Sequence, residues 1–145
     1  MRIIAGKFRS RLIEMVPLES TKETSDKVRG AVFNSLGLRV QDANVLDLFA
    51  GSGSYGLEAI SRGASYALFN DIKLGAYQII SKNVSLLKVN DVTKILNLDY
   101  LKALEYIKAN NIKFDIVFLD PPYALDIYEQ VINDLKDLIT EDAII

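Results

Sequence analysis

From Asn44 onward the chain predicts an α/β fold, a mostly parallel sheet with helices on both faces. Three observations carry that prediction. Strand-like and helix-like stretches alternate strictly, which is how parallel strands are connected. The strand candidates are largely apolar, as strands covered on both sides are. Glycines, acids and prolines gather just past the strand ends, where sheets of this kind bind ligands.

Residues 2–16 read as a short hairpin: RIIA, a turn region containing Gly6, then RLIEMV before Pro17. After a polar linker, Thr24 or Ser25 can cap a helix running to about Leu36, with Val28, Ala31, Val32 and Leu36 on one face. Gly30 lies inside that helix and weakens it by about 1 kcal/mol relative to alanine. The alternating part begins with NVLDLF as a strand, SYGLEAISRG as a helix, YALFND as a strand and LGAYQIISKNVSLLK as a helix. VTKILN, YLKALEYIKAN, DIVFLD and YEQVINDLKDLI continue the alternation. The closing AII reads as a fifth strand just begun, so the last strands are expected to be missing and strand four to expose part of its ladder. Such an apolar edge invites self-association. The organisation expected is a basic hairpin-and-helix extension over 1–40 and a ligand-binding core over 41–145, incomplete at its C-terminal end.

A chain of 145 residues fits one domain with a substantial core, and a quarter of it is charged, as in ordinary globular proteins. Cysteine and histidine are both absent. That excludes disulfides, thiolate or imidazole metal sites and histidine acid–base catalysis, and no metal is expected. No apolar run is long enough to span a bilayer, and MRIIAGKFRSR lacks the core of a signal peptide, so a cytoplasmic protein without membrane partners is expected. Net charge is only −2 but unevenly spread. Arg2, Lys7, Arg9 and Arg11 form a stripe without an intervening acid. On its own such a stripe is a solvated surface; beside a site that handles nucleic acid it becomes a phosphate-facing arm.

Gly51, Gly53 and Gly56 spell GxGxxG between a strand and a helix, with Phe49, Ala50 and Ser52 in the same loop. Glycines there allow a tight turn and close approach of a ligand to backbone. Dinucleotide enzymes share the spelling, so the discriminating residue is Asp47, which would repel a pyrophosphate but suit an ammonium. Asp71, with Ile72 beside it, ends the next strand where a carboxylate can accept from a ribose diol. Asp99 ends the third strand and can accept from an adenine amine. Each acid singly could be a strand-end or helix cap. Together they fit S-adenosylmethionine, which offers an ammonium, a ribose and an adenine but no phosphate.

DLFAGSGSYGLEAISRGA at 47–64 together with FDIVFLDPPY at 114–123 resembles the class I S-adenosylmethionine-dependent N-methyltransferases. MRIIAGKFRSR and TSDKVRGAVFN narrow the resemblance to the RsmD family of 16S ribosomal RNA (guanine-N2)-methyltransferases. It covers essentially the whole chain. It implies a Rossmann-like sheet, S-adenosylmethionine as cofactor, and 16S rRNA or the small ribosomal subunit as partner, with Arg2, Lys7, Arg9 and Arg11 facing RNA. The chain departs from the family at Lys22-Glu23-Thr24, where Arg-Pro-Thr is usual, and at Gly30, where Glu is usual.

DPPY, Asp120 to Tyr123, resembles the motif with which amino-methylating enzymes hold a target base. An exocyclic amine is a poor nucleophile, because its lone pair is delocalised into the ring. Acceptors around it, here the Asp120 carboxylate and the Pro121 carbonyl, favour a pyramidal nitrogen. Pro121 and Pro122 fix φ and remove competing donors. Tyr123 gives a stacking face worth about 1–3 kcal/mol to a base turned out of its helix. DNA adenine-N6 methylation is the second enzymatic reading, although a DNA reader needs recognition elements for which 40 residues leave little room. A non-catalytic module binding S-adenosylmethionine or RNA is the alternative from another class.

Overall fold

A computed structural model describes residues 1–15, 22–119 and 128–144. Its elements are α1 (Lys22–Leu36), a 3-10 turn (Gly37–Val40), β1 (Asn44–Asp47), α2 (Ser54–Ser61), β2 (Tyr66–Asn70) and α3 (Leu74–Leu87). β3 (Thr93–Leu96), α4 (Tyr100–Ala109), β4 (Phe114–Phe118), α5 (Tyr128–Leu135) and β5 (Ile139–Ile144) follow. The strand order is β3-β2-β1-β4-β5, and every pairing is parallel. The chain therefore moves outward from β1 through β2 to β3, then returns to the other side of β1 as β4. The reversal point between β1 and β4 is where such sheets open a ligand crevice.

Side chains alternate across the strands and divide the core in two. Val45, Ala67, Phe69 and Ile116 face one layer with Leu57, Ile80, Val84 and Leu87, from α2 and α3. Leu46, Leu68 and Val117 face the other, with Ala103, Leu104, Ile107, Val131 and Leu135, from α4 and α5, and Phe114 at the start of β4 joins this cluster. Ile3 and Ile13 of the N-terminal segment and Phe33 of α1 join the first layer. The predicted hairpin is present as one antiparallel bridge, Arg2 to Leu12, closed by hydrogen bonds such as Ile3 N–H to the Arg11 carbonyl at 3.0 Å.

Several sequence expectations shift. β1 ends at Asp47, two residues earlier than expected, which frees Leu48 and Phe49 for the loop. α1 starts at Lys22 and buries Arg29 and Phe33, while Val28 is 52% exposed. The helix is thus rotated so that Val28 and Ala31 are exposed while Val32 and Leu36 stay half-buried, because its counterpart on α2 is a buried carboxylate, Glu58, which Arg29 meets at 3.3 Å. β5 begins at Ile139, with Phe114 and Ile116 paired to Ile139 and Ile144 across an irregularity. β4 therefore lies between β1 and β5 instead of exposing its ladder.

Candidate active site

The site is built at the carboxyl ends of β1 and β2. Asp47 is the last residue of β1 and only 4% exposed. Its Oδ2 accepts from the Gly56 N–H at 3.3 Å, at the first turn of α2. The residue capping that helix, Gly53, has no side chain to do it, so a carboxylate from the neighbouring strand satisfies an otherwise orphan amide. Gly56 has to be glycine: a Cβ there would lie 2.2 Å from Cε1 of Phe69 on β2. Gly51 is different. Its φ is +59°, and no atom lies within 4 Å of where a Cβ would be, so the loop backbone is open at this point.

Asp71 follows β2 directly and binds the loop from the other side. Its Oδ2 accepts from Gly51 N–H at 2.9 Å and its Oδ1 from Lys73 N–H at 3.0 Å. Ile72 beside it is 66% exposed, an apolar side chain left in solvent at the rim. Asp99 caps α4, with Oδ1 accepting from Leu101 N–H at 2.9 Å. Phe49 lies against the Tyr100 ring with centroids 5.8 Å apart. The Tyr100 phenol is held above its usual pKa, first by burial and then by Asp134 and Asp99. Asp47 from the end of β1 and Asp71 from the residue after β2 thus flank the loop that carries Ala50, Gly51 and Ser52, while Asp99 stands apart as the cap of α4, three residues past the end of β3.

Asp120, Pro121, Pro122 and Tyr123 lie outside the described residues. β4 leads to them: its last residue, Phe118, is the register partner of Asp47. Phe118 also packs against Tyr55 and Phe33, with centroids at 5.2 and 5.5 Å. This aromatic cluster joins α1 and α2 to the end of β4. Among the described residues, no group of three or more histidine, cysteine or acidic side chains is placed to hold a metal. No helix there is long and apolar enough to cross a membrane.

Arg2, Lys7, Arg9 and Arg11 are all exposed. The hairpin turn, however, is fastened to the far end of α2: Lys7 N–H donates to the Ser61 carbonyl at 2.8 Å, and Phe8 N–H to Ser61 Oγ at 2.9 Å. Eight helical residues rise about 12 Å, so the turn sits well below the glycine loop.

Three buried residues that organise the site carry no motif. Asn70 donates to the Leu98 carbonyl at 2.9 Å and accepts from Leu98 N–H at 3.1 Å, while its own carbonyl takes Ala50 N–H. It thereby fixes the loops after β1 and β3. Asn83 donates to the carbonyls of Ser52 and Glu14, joining the glycine loop to the N-terminal segment. Glu58 accepts from Ile4 and Ala5 N–H and pairs with Arg29 and Arg62. A polar residue inside an apolar run is the one sequence signal they give, since buried polar groups need partners.

The family described as Conserved hypothetical protein 95, the RsmD family, matches the chain over residues 1–145. The chain belongs to that family. Within it, the chain is 35% identical over 137 residues to ribosomal RNA small subunit methyltransferase D of Escherichia coli K12, covering 94% of this chain and 67% of that protein. A hypothetical protein of Thermus thermophilus superposes with a TM-score of 0.82 at 29% identity, over 97% of this chain and 80% of that one. A SAM-dependent methyltransferase from Agrobacterium tumefaciens shares the fold at a TM-score of 0.68 and 17% identity, over 86% of this chain and 43% of that one. The RsmD-family chain thus has the Rossmann-like architecture of the class I methyltransferases.

Proposed function

We propose that this chain transfers a methyl group from S-adenosylmethionine to the exocyclic N2 amine of a guanine in small-subunit ribosomal RNA. The observation that supports this best is the carboxylate lining of the glycine loop. In a dinucleotide-binding loop the backbone amides are left for pyrophosphate. Here the Gly51 and Gly56 amides donate to Asp71 and Asp47, so a phosphate would meet two anions and two engaged donors. A cationic cofactor without phosphate suits the same surface. The residues present fit it: each Asp71 oxygen has a second lone pair for a ribose hydroxyl, exposed Ile72 offers an apolar face to adenine, and the backbone at Gly51 is open. The name of the E. coli relative supports ribosomal RNA as the substrate class.

A bound sulfonium supplies an electrophilic methyl carbon. The chain's own work is positioning and electrostatics. Asp120 and the Pro121 carbonyl accept from the guanine NH2, localise its lone pair and aim it. Tyr123 stacks on the base, and Asp120 or water takes the amine proton after transfer.

The test is methyl transfer from labelled cofactor to small-subunit RNA or assembled subunits, with the product nucleoside identified. N2-methylguanosine is expected. Label in N6-methyladenosine of DNA would favour the DNA reading, and cofactor binding without transfer would favour a binding module. Asp120→Ala should lower the rate by orders of magnitude with cofactor affinity nearly intact, whereas Tyr123→Phe should retain much of the activity. A parallel loss of rate and affinity in Asp120→Ala would make that residue structural.

A further inference from the structure

A groove of about 610 Å³ lies at the opposite end of the sheet from the glycine loop. It is bounded by the hairpin turn, the last turns of α2 and α3, and the segment entering β3. Ile60, Leu87, Val89 and Val92 are among its apolar lining, and Lys7, Arg11 and Lys88 stand around it with a single acid, Asp91. Phe8 contributes an aromatic ring, with the Lys7 ammonium 5.5 Å from its centroid. The three cations are exposed, and no ion pair among the described residues holds them. The Arg11 guanidinium is kept at the rim by a 3.0 Å bond to the Leu86 carbonyl. Lys88 is presented by the left-handed turn that ends α3, at φ +58°.

An apolar floor, an aromatic ring and a net positive rim form the combination that holds single-stranded nucleic acid: bases against the floor, phosphates against the cations. We propose that this groove is a second RNA site, taking a single-stranded stretch of the substrate at the end of the sheet remote from methyl transfer. The inference rests on the ribosomal RNA reading above and adds Phe8 and Lys88 to the surface. It also sets a geometry. RNA engaging both ends spans the length of α2, about 12 Å, so a fragment covering only the target nucleotide forgoes the groove contacts.

A plainer role for these cations is to complement the negative C-terminal ends of α2 and α3, which the Arg11 bond already does in part. The experiment that separates the two measures anisotropy of a labelled eight-nucleotide oligouridylate on the whole chain. It compares the parent with the Lys7→Ala/Lys88→Ala double variant over a salt series, beside thermal melting and S-adenosylmethionine calorimetry. The double variant should bind the oligonucleotide at least roughly tenfold more weakly at low salt. Its log–log salt slope should be smaller by about 1.4, at ~0.7 per single-strand phosphate contact. Cofactor affinity should not change. Unchanged oligonucleotide binding with a lowered melting temperature would overturn the proposal in favour of helix-end complementation. No oligonucleotide binding, with capture of polyglutamate instead, would overturn it in favour of a protein surface. Loss of oligonucleotide binding in the variant, in a chain that binds no S-adenosylmethionine, would uphold the groove while the methyl-transfer reading fell.

Discussion

Glu58 sits in the middle of α2 with no exposed surface and answers to four partners. The Ile4 and Ala5 amides, Arg29 and Arg62 all converge on its two oxygens at 2.8–3.3 Å. Removing it would leave the Arg29 guanidinium, itself without exposed surface, facing the gap with only the half-exposed Asp26 carboxylate at 3.2 Å and the Arg2 carbonyl as partners. Glu58→Ala should therefore cost about 3–5 kcal/mol in chemical denaturation, with faster amide exchange at Ile4 and Ala5. A loss below about 1 kcal/mol would mean that the cluster is not what fastens the N-terminal segment. At this scale the sequence showed which residues gather but not what they bond. Asp47, Asp71 and the three glycines were legible, because a strand–loop–helix pattern brings them together from any starting point. That Asp47 caps α2 and Asp71 holds Gly51 depends on side-chain geometry that spacing does not express.

Among the elements, α1 shows how local pattern and tertiary context diverge. Val28, Ala31, Val32 and Leu36 make an apolar stripe, yet only Val32 and Leu36 are half-buried and the packed side is centred on Arg29 and Phe33, because an ion pair and an aromatic cluster wait on α2 and β4. Gly30 in this helix is not required by space: a Cβ would meet only Ile4 Cδ1, at an ordinary 3.5 Å. Gly30→Ala should accordingly stabilise the protein by about 0.5–1 kcal/mol and raise its melting temperature. A fall in melting temperature would show that Ile4 cannot give way. The end of the chain misled in a related way. Leu135, Leu138 and Ile139 continue a helical spacing, but the helix gives out in a 3-10 turn at Lys136–Leu138 and β-branched Ile139 and Thr140 start a strand. The central helices and strands were readable because strict alternation leaves few ways to place them.

For the molecule as a whole, the order β3-β2-β1-β4-β5 makes β1 and β4 the inner strands beside the reversal point, with β3 and β5 outermost among the described strands. Amides of 115–117 should then be about as protected from hydrogen exchange as those of 45–47, while β5 opens sooner. Exchange of β4 in step with β5 would return β4 to the sheet edge. The same topology sets the glycine loop, with its two flanking carboxylates, at the crevice, and the proposed function depends on what that loop selects. Titration calorimetry with the intact chain tests it most directly, comparing S-adenosylmethionine with a nicotinamide dinucleotide, and the parent with Asp71→Ala. The parent should bind S-adenosylmethionine and not the dinucleotide, and Asp71→Ala should weaken binding by about 1.5–3 kcal/mol, as for a lost charge-assisted hydrogen bond. Dinucleotide binding by the parent, or an S-adenosylmethionine affinity unchanged in Asp71→Ala, would contradict the proposed function.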